Sequence, residues 1–172
     1  MFRALPYIAL FLTAVLSQIF IFDNLTVSVL FAPLVYVVFI LLLPIESSQI
    51  LMLAAGALTG FVVDAAMGTQ GLNSIATLFI AFFRAPIIKL IVGDKRASER
   101  GVPSEILFGN GDYISYLLVM VVLHHAIFFG FEALSFSGGW STILRFSIST
   151  ISSLLFVWLI ARIFTLNKIL KS

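Results

Sequence analysis

The sequence predicts an all-α integral membrane protein, built as a bundle of six transmembrane helices. Three observations favour this fold class: the composition, the length of the apolar runs and the shortness of the connections between them. Of the 172 residues, 61% are hydrophobic and only 10% are charged, whereas a soluble domain is roughly 45–50% apolar and about 25% charged. A soluble fold of this size cannot hide so much apolar surface from water, so the solvent is lipid.

The apolar runs have the length of helical spans, which need about 20 residues each. They are too long for membrane β-strands, which need about 10 residues in strict alternation. Six spans use most of the chain and leave too little for a folded domain outside the membrane. We therefore predict a single transmembrane domain over residues 1–172, with spans at about 4–22, 25–43, 50–67, 72–92, 113–134 and 142–164.

Short polar turns separate most of these spans. Asp23 and Asn24 follow the first span, which we interpret as retained because no small-residue cleavage site follows it. Residues 68–71 form a glycine-rich turn between the third and fourth spans. The one long connection is 93–112, in which we expect a short surface helix around 104–108.

The distribution of basic residues predicts the orientation. With a cytoplasmic N-terminus, the outer connections near Asp23, Gly68 and Gly138 contain no Lys or Arg. The basic residues then fall on the inner side, as the positive-inside rule requires: Arg3, Lys95, Arg96, Arg100, Arg162, Lys168 and Lys171. We therefore predict that both termini and the loop 93–112 are cytoplasmic. The basic residues are few and scattered, which argues against a nucleic-acid partner.

A stripe of small and polar residues follows one face of the third span. Gly56, Gly60, Asp64 and Gly68 recur at steps of four, and Gly71 follows in the turn. Small residues at this spacing let another helix approach closely. We predict a packing face, for a partner or for another helix of this chain, with Asp64 hydrogen-bonding across it. The alternative is that Asp64 lies near the outer interface and caps the following turn.

The other unusual charges are Arg84, Glu132 and Arg145. We expect Asp64, Glu132 and Arg145 to share the outer layer, because each lies at the outer end of its span. Arg145 could pair with Asp64 or with Glu132, which would offset the cost of burial, or each could extend separately to the outer interface. Arg84 lies nearer the inner side, and we expect its side chain to extend to the inner interface.

No catalytic, cofactor or metal site is predicted. His124 and His125 are adjacent, so their side chains point about 100 degrees apart on a helix and one metal cannot easily take both. We expect one of them to hydrogen-bond between helices. The chain has no cysteine, no glycine-rich phosphate loop and no serine beside a candidate base. The hydroxyls of the sixth span can bond to their own helix or to a neighbour. We predict that the protein is not an enzyme.

The size, the six spans and the cytoplasmic termini resemble the family of the rod-shape-determining membrane protein MreD. The most specific stretch is the motif G-x3-G-x3-D-x3-G-x2-G, which begins at Gly56 and ends at Gly71. Pro33, inside a second span that closes at Pro44, resembles the family's proline in the same span. The resemblance covers nearly the whole chain in layout and about residues 30–75 in motif.

The resemblance implies a non-enzymatic scaffold of the cell-elongation machinery in the bacterial cytoplasmic membrane. It implies an MreC-like bitopic partner and, indirectly, an MreB-like actin, a RodA-like glycosyltransferase and a penicillin-binding transpeptidase. Through them the protein would help regulate cell shape and peptidoglycan synthesis. The bundle would receive the membrane helix of the MreC-like partner, with the Gly56–Gly68 face and the loop 93–112 as contact surfaces.

The layout is also similar to that of the substrate-binding components of energy-coupling-factor vitamin transporters, and we expect a common fold. Such components usually carry an A-x-x-x-A face in the first span, which docks the transport scaffold. The matching steps here hold Ala9, Thr13 and Ser17. Vitamin binding is therefore the alternative function.

Overall fold

The computed structural model describes residues 4–24, 28, 30–135 and 139–169, and within these residues the regular secondary structure is helical, without a β-strand. Five of the helices are long and apolar enough to cross a membrane. The predicted all-α fold is therefore confirmed, and five candidate spans are consistent with a membrane protein, one fewer than the six predicted. Arg3, Lys171 and Gly138, on which the predicted orientation partly depends, lie outside the described residues, and the sidedness stays a prediction.

The helices follow the predicted spans closely, with one exception. The bounds are α1 Leu5–Ser17, which continues as a π-helical turn Gln18–Phe22, then α2 Val38–Leu41, α3 Gln49–Met67, α4 Leu72–Ala97, α5 Glu105–Phe108, α6 Asn110–Ser135 and α7 Gly139–Ile169. The first, third, fourth, fifth and sixth predicted spans correspond to α1, α3, α4, α6 and α7. The short helix expected around 104–108 is α5, whose cap is the hydroxyl of Ser104.

The second predicted span, 25–43, is not a spanning helix. Residues 25–27 and 29 lie outside the described part, residues 30–37 are non-helical, and α2 is only four residues long. Pro33 has no backbone N–H and disfavours the helical conformation of the residue before it, so a helix through this position loses a hydrogen bond. Residues 34–43 are nevertheless all buried. Non-helical backbone is tolerated at membrane depth only where protein surrounds it.

These buried residues and their half-buried flanks, residues 30–44 together, are called the internal segment from here on. It runs through the bundle alongside α4, since Tyr36 bonds Asn73 in the first turn of that helix at 2.8 Å, while the carbonyl of Leu43 accepts from Arg84. Asn73 and Arg84 are separated by about 16 Å along the helix axis. The internal segment therefore takes the chain from the end of α1 back to the start of α3.

The fourth helix continues past Arg84 in spite of Pro86. Proline removes the hydrogen bond to the carbonyl four residues earlier, which here is the carbonyl of Phe82. The side-chain amide of Gln49 donates to that carbonyl at 3.2 Å, from the first residue of α3. The helical path breaks at Gly93, whose φ of +79° is left-handed. The regular helix therefore extends past Pro86 to Val92, the residue at which the fourth predicted span ends.

The loop 93–112 is tied to the turn that follows the internal segment. Ile45 donates its backbone N–H to the carbonyl of Gly101 at 2.8 Å, and Glu46 accepts from the backbone N–H of Gly101 at 2.9 Å. Arg96 pairs with Asp112 at 2.7 Å. These contacts hold the loop as one surface at the end of the bundle where α3 begins.

Candidate functional site

The glycine stripe of α3 lies in the interface with α4. A Cβ added to Gly56 would lie 3.0 Å from the Cβ of Ala81, and one added to Gly60 would lie 2.8 Å from the backbone nitrogen of Ser74. The two helices therefore approach at these glycines as closely as their backbones allow. Of the two partners left open by the sequence, another helix of the same chain packs against this face at Gly56 and Gly60.

Asp64 binds the beginning of α4 across this interface. Its Oδ1 accepts from the Thr69 hydroxyl at 2.6 Å and from the backbone and side-chain amides of Asn73 at 2.9 and 3.1 Å. Its Oδ2 accepts from the backbone N–H and the hydroxyl of Ser74 at 2.8 and 2.6 Å. The carboxylate thus satisfies free N–H groups at a helix N-terminus, where negative charge is favourable. The two roles predicted for Asp64, cross-helix bond and cap, are one arrangement.

The remaining glycines of the motif shape the turn between α3 and α4. Gly68 has a φ of +68° and ends α3, and Gly71 has a φ of +95° and precedes α4. Both values lie in the left-handed region, where glycine pays no steric cost. They place Thr69 and Asn73 against the carboxylate of Asp64.

Arg145 pairs with Glu132, and not with Asp64. Its Nη1 donates to Glu132 Oε1 at 2.9 Å, between α7 and α6, and its guanidinium lies 5.5 Å from the ring centroid of Phe129. Asp64 is engaged with α4 instead. The structure thus forms one of the two pairings that the sequence left open.

Arg84 does not extend to the membrane interface, and in this the expectation from the sequence is wrong. The side chain is buried, with 3% of the residue exposed, and it donates to the carbonyls of Leu41, Leu43 and Pro44. Its Nε also donates to the Tyr116 hydroxyl at 3.0 Å. The physical reason is that α2 ends at Leu41, so the carbonyls of Leu41 and Leu43 have no helical partner. No carboxylate of the described residues pairs with Arg84.

Two serines of α7 hold the first part of the internal segment. Ser149 Oγ accepts from the backbone N–H of Ala32 at 3.0 Å, and Ser153 Oγ accepts from that of Leu34 at 2.8 Å. Serines four apart on a helix are separated by about 6 Å, and alternate N–H groups of an extended chain by about 6.6 Å. One helix face therefore matches one edge of the extended chain.

Gln18 of α1 binds the opposite edge of the same segment. Its Oε1 accepts from the backbone N–H of Val35 at 2.7 Å, and its Nε2 donates to the carbonyl of Pro33 at 3.1 Å. A side-chain amide here takes the place of a neighbouring strand. Gln18 begins the π-helical turn of α1, and such turns often occur where a helix serves a special role.

A chain of hydrogen bonds fixes the protonation of His124. The Asn73 side-chain amide donates to Asp64, so its Oδ1 is left to accept from the Tyr36 hydroxyl at 2.8 Å. Tyr36 has then used its only proton, and the 2.8 Å contact with His124 requires that His124 Nε2 donates. His124 therefore carries its proton on Nε2 and joins α6 to the internal segment and α4.

His125 carries its proton on the other ring nitrogen. Its Nδ1 donates to the carbonyl of Val121 at 2.9 Å, and its Nε2 accepts from the Ser153 hydroxyl at 2.9 Å. That hydroxyl in turn accepts from Leu34. Both histidines thus make bonds to other elements, where one was expected to. Across the described ranges, no three His, Cys, Asp or Glu side chains form a metal-binding group.

An open cavity of about 420 Å³ lies where the internal segment begins. Its polar lining comes from Gln18, Asp23, Ser28 and Arg145, and residues 31–34 of the internal segment also line it. Gln18 and Arg145 are engaged with other groups, as described above. The cavity is therefore bounded by side chains that also hold the bundle together.

The comparisons with known proteins assign no family. No family model matches the chain. No curated protein and no solved structure matches it either. The resemblance to MreD therefore stays a prediction that depends on the motif and the layout.

Proposed function

We propose that this chain is a non-enzymatic membrane scaffold of the MreD kind, which docks an MreC-like bitopic protein in the bacterial cytoplasmic membrane. The observation that carries the proposal is that the interior polar side chains bind the protein's own backbone. Gln18, Ser149, Ser153 and Arg84 all bind the backbone of the internal segment. Side chains committed in this way hold one fixed arrangement, which is what a scaffold needs.

The docking surface lies outside the glycine stripe, because α4 covers Gly56 and Gly60. Of the two surfaces suggested by the sequence, this leaves the loop 93–112. Its helix α5 exposes Ile106 to 75%, and the loop is held in place through Gly101. An exposed apolar side chain on an anchored loop is suited to contact a partner.

Co-purification with the MreC-like protein of the same genome tests the scaffold directly. The wild-type chain should recover the partner from solubilised membranes. Ile106→Asn should reduce that recovery severalfold, whereas Trp140→Asn should leave it unchanged. Trp140 is a matched control, because it is 72% exposed and lies at the start of α7. No recovery by the wild-type chain would contradict the scaffold, and equal recovery by both variants would contradict the surface.

The second candidate is a substrate-binding component of an energy-coupling-factor vitamin transporter. The observation that favours it is the open cavity of about 420 Å³ beside the internal segment, since ligand sites of membrane proteins form where non-helical backbone lines a cavity. Ala9 and Thr13 are also exposed on α1, where such components carry their docking face. A panel of vitamins titrated into the purified protein separates the two candidates, because tight binding of one vitamin would contradict the scaffold.

A further inference from the structure

Arg84 is a buried cation whose charge no carboxylate of the described residues neutralises. Its acceptors are carbonyls, a phenol and a thioether, which carry only partial charges. A buried charge without a counter-ion costs several kcal/mol, which dipoles offset only in part. Something of opposite charge beside Arg84 would therefore stabilise the native state.

The three nitrogens of the guanidinium are satisfied unequally. The Nε and Nη2 atoms donate to the Tyr116 hydroxyl and to the carbonyls of Leu41 and Leu43. The Nη1 atom has a long bond of 3.4 Å to the carbonyl of Pro44 and a contact of 3.7 Å with the Met52 sulfur. A thioether is a weak acceptor. The Nη1 atom thus has the greatest remaining capacity to donate.

A small cavity lies beside Arg84 and Met52, whose thioether is the weak acceptor of Nη1. Its volume is about 60 Å³, and Met52 is the one acceptor of Arg84 that lines it. The other acceptors of Arg84, which are Leu41, Leu43, Pro44 and Tyr116, do not line it. The volume exceeds the ~10–15 Å³ that one water requires. It is too small for a lipid headgroup with its glycerol. The space therefore fits a single small ion or a few waters.

The polar lining of this cavity favours negative charge. Ser47 and Gln49 border it at the beginning of α3, a helix of 19 residues. The N-terminus of a helix carries a partial positive charge that adds to the charge of the guanidinium. The guanidinium and the helix N-terminus both repel a cation. They attract an anion more strongly than they attract a neutral water.

We propose that this cavity binds one small inorganic anion of the size of chloride, as the counter-ion of Arg84. The anion would join the internal segment to α3 and α4 at the end of the bundle where the loop 93–112 lies. A ligand that binds only the native state raises its stability in proportion to the logarithm of ligand concentration. Chloride should therefore stabilise the folded chain in a saturable way.

The thermal unfolding of the purified full chain tests this proposal. Tryptophan fluorescence is recorded in sodium chloride, sodium bromide and sodium gluconate at one constant ionic strength. Tm should rise with chloride and with bromide by roughly 5 °C at concentrations far above Kd, and stay level in gluconate. An equal response to the three salts would overturn the proposal and leave only water in the cavity.

Two variants and one control locate the effect. Arg84→Gln should unfold at the same Tm in chloride and gluconate, and a retained chloride effect in that variant would overturn the proposal. Where Arg84→Gln fails to fold, Ser47→Leu decides, because it fills the cavity and leaves Arg84 in place. It should lose the chloride effect, and a wild-type response would contradict the site. Arg145→Gln removes a different arginine and should keep the effect.

Discussion

The side-chain oxygen of Gln18 accepts a hydrogen bond of 2.7 Å from the backbone N–H of Val35. A side chain of α1 thereby binds backbone that forms neither helix nor sheet, in the interior of the bundle. Ser149 and Ser153 do the same from the opposite side. The interior of the bundle is thus organised around the backbone hydrogen-bonding groups of the internal segment.

Gln18→Leu should destabilise the folded chain, because it leaves the N–H of Val35 and the carbonyl of Pro33 without partners. Each unsatisfied buried group costs about 1–3 kcal/mol. Chemical unfolding in detergent measures the loss, and Thr13→Leu on the exposed face of α1 serves as the control. An unchanged unfolding midpoint in Gln18→Leu would contradict the role given to the amide.

Ser153→Ala should cost more stability than Ser149→Ala. Ser153 bonds Leu34 and His125, and both of these bonds are fully buried. Ser149 also has two partners, Ala32 and the carbonyl of Leu30, but these bonds are only partly buried. The groups that Ser153→Ala leaves unsatisfied are therefore further from water and cost more. Ser147→Ala is the matched control, because Ser147 is exposed and bonds only the carbonyl of Ile143 in its own helix. A loss in Ser147→Ala as large as in Ser153→Ala would show that helix propensity, and not the internal segment, sets the effect.

The glycine stripe predicts a graded series of alanine variants. Gly60→Ala should cost about 3 kcal/mol or more, because its Cβ would meet the backbone of α4. Gly56→Ala should cost less, since its nearest contact is the Cβ of Ala81 at 3.0 Å. Gly130→Ala, at a helical glycine with no atom within 4 Å, should be neutral or stabilising. Equal losses at Gly60 and Gly130 would argue against close α3–α4 packing.

The pairing of Arg145 predicts which charge exchange restores a broken bundle. Glu132→Arg and Arg145→Glu should each lower the yield of folded protein, and the double exchange should restore it, because the 2.9 Å ion pair reforms with reversed polarity. The exchange of Asp64 with Arg145 should not restore folding, since Asp64 serves the beginning of α4. Size-exclusion recovery of the folded chain measures both. Rescue by the Asp64 exchange alone would reverse the assignment.

Five helices could be predicted from hydropathy and length, because a span of about 20 apolar residues has few other structures open to it. The internal segment could not, since a buried extended run is as apolar as a helical span and its periodicity does not distinguish them. Pro33 is the available signal against a helix here, although a helical span can also contain one proline. Because α2 ends at Leu41, the carbonyls of Leu41 and Leu43 lack helical partners. Arg84 turns inward to bind them.

The candidate site was predictable in part. Steps of four placed Gly56, Gly60 and Asp64 on one face, and the structure has them there against α4. Sequence alone could not decide whether the opposing helix belonged to this chain. The roles of Gln18 and Asn73 were not predicted, because a single amide in an apolar run forms no motif with a second residue. An amide inside a span is itself a signal, since it must find a partner away from water.

Side chains of α1 and α7 hold the internal segment from its two edges, and the proposed scaffold role depends on this hold. Amide hydrogen exchange, resolved by residue, measures it at Leu34 and Val35. Both amides should be protected in the wild-type chain. Gln18→Leu should speed exchange at Val35 more than at Leu34, and Ser153→Ala should do the reverse. Fast exchange at both amides in the wild-type chain, or identical patterns in the two variants, would contradict the account.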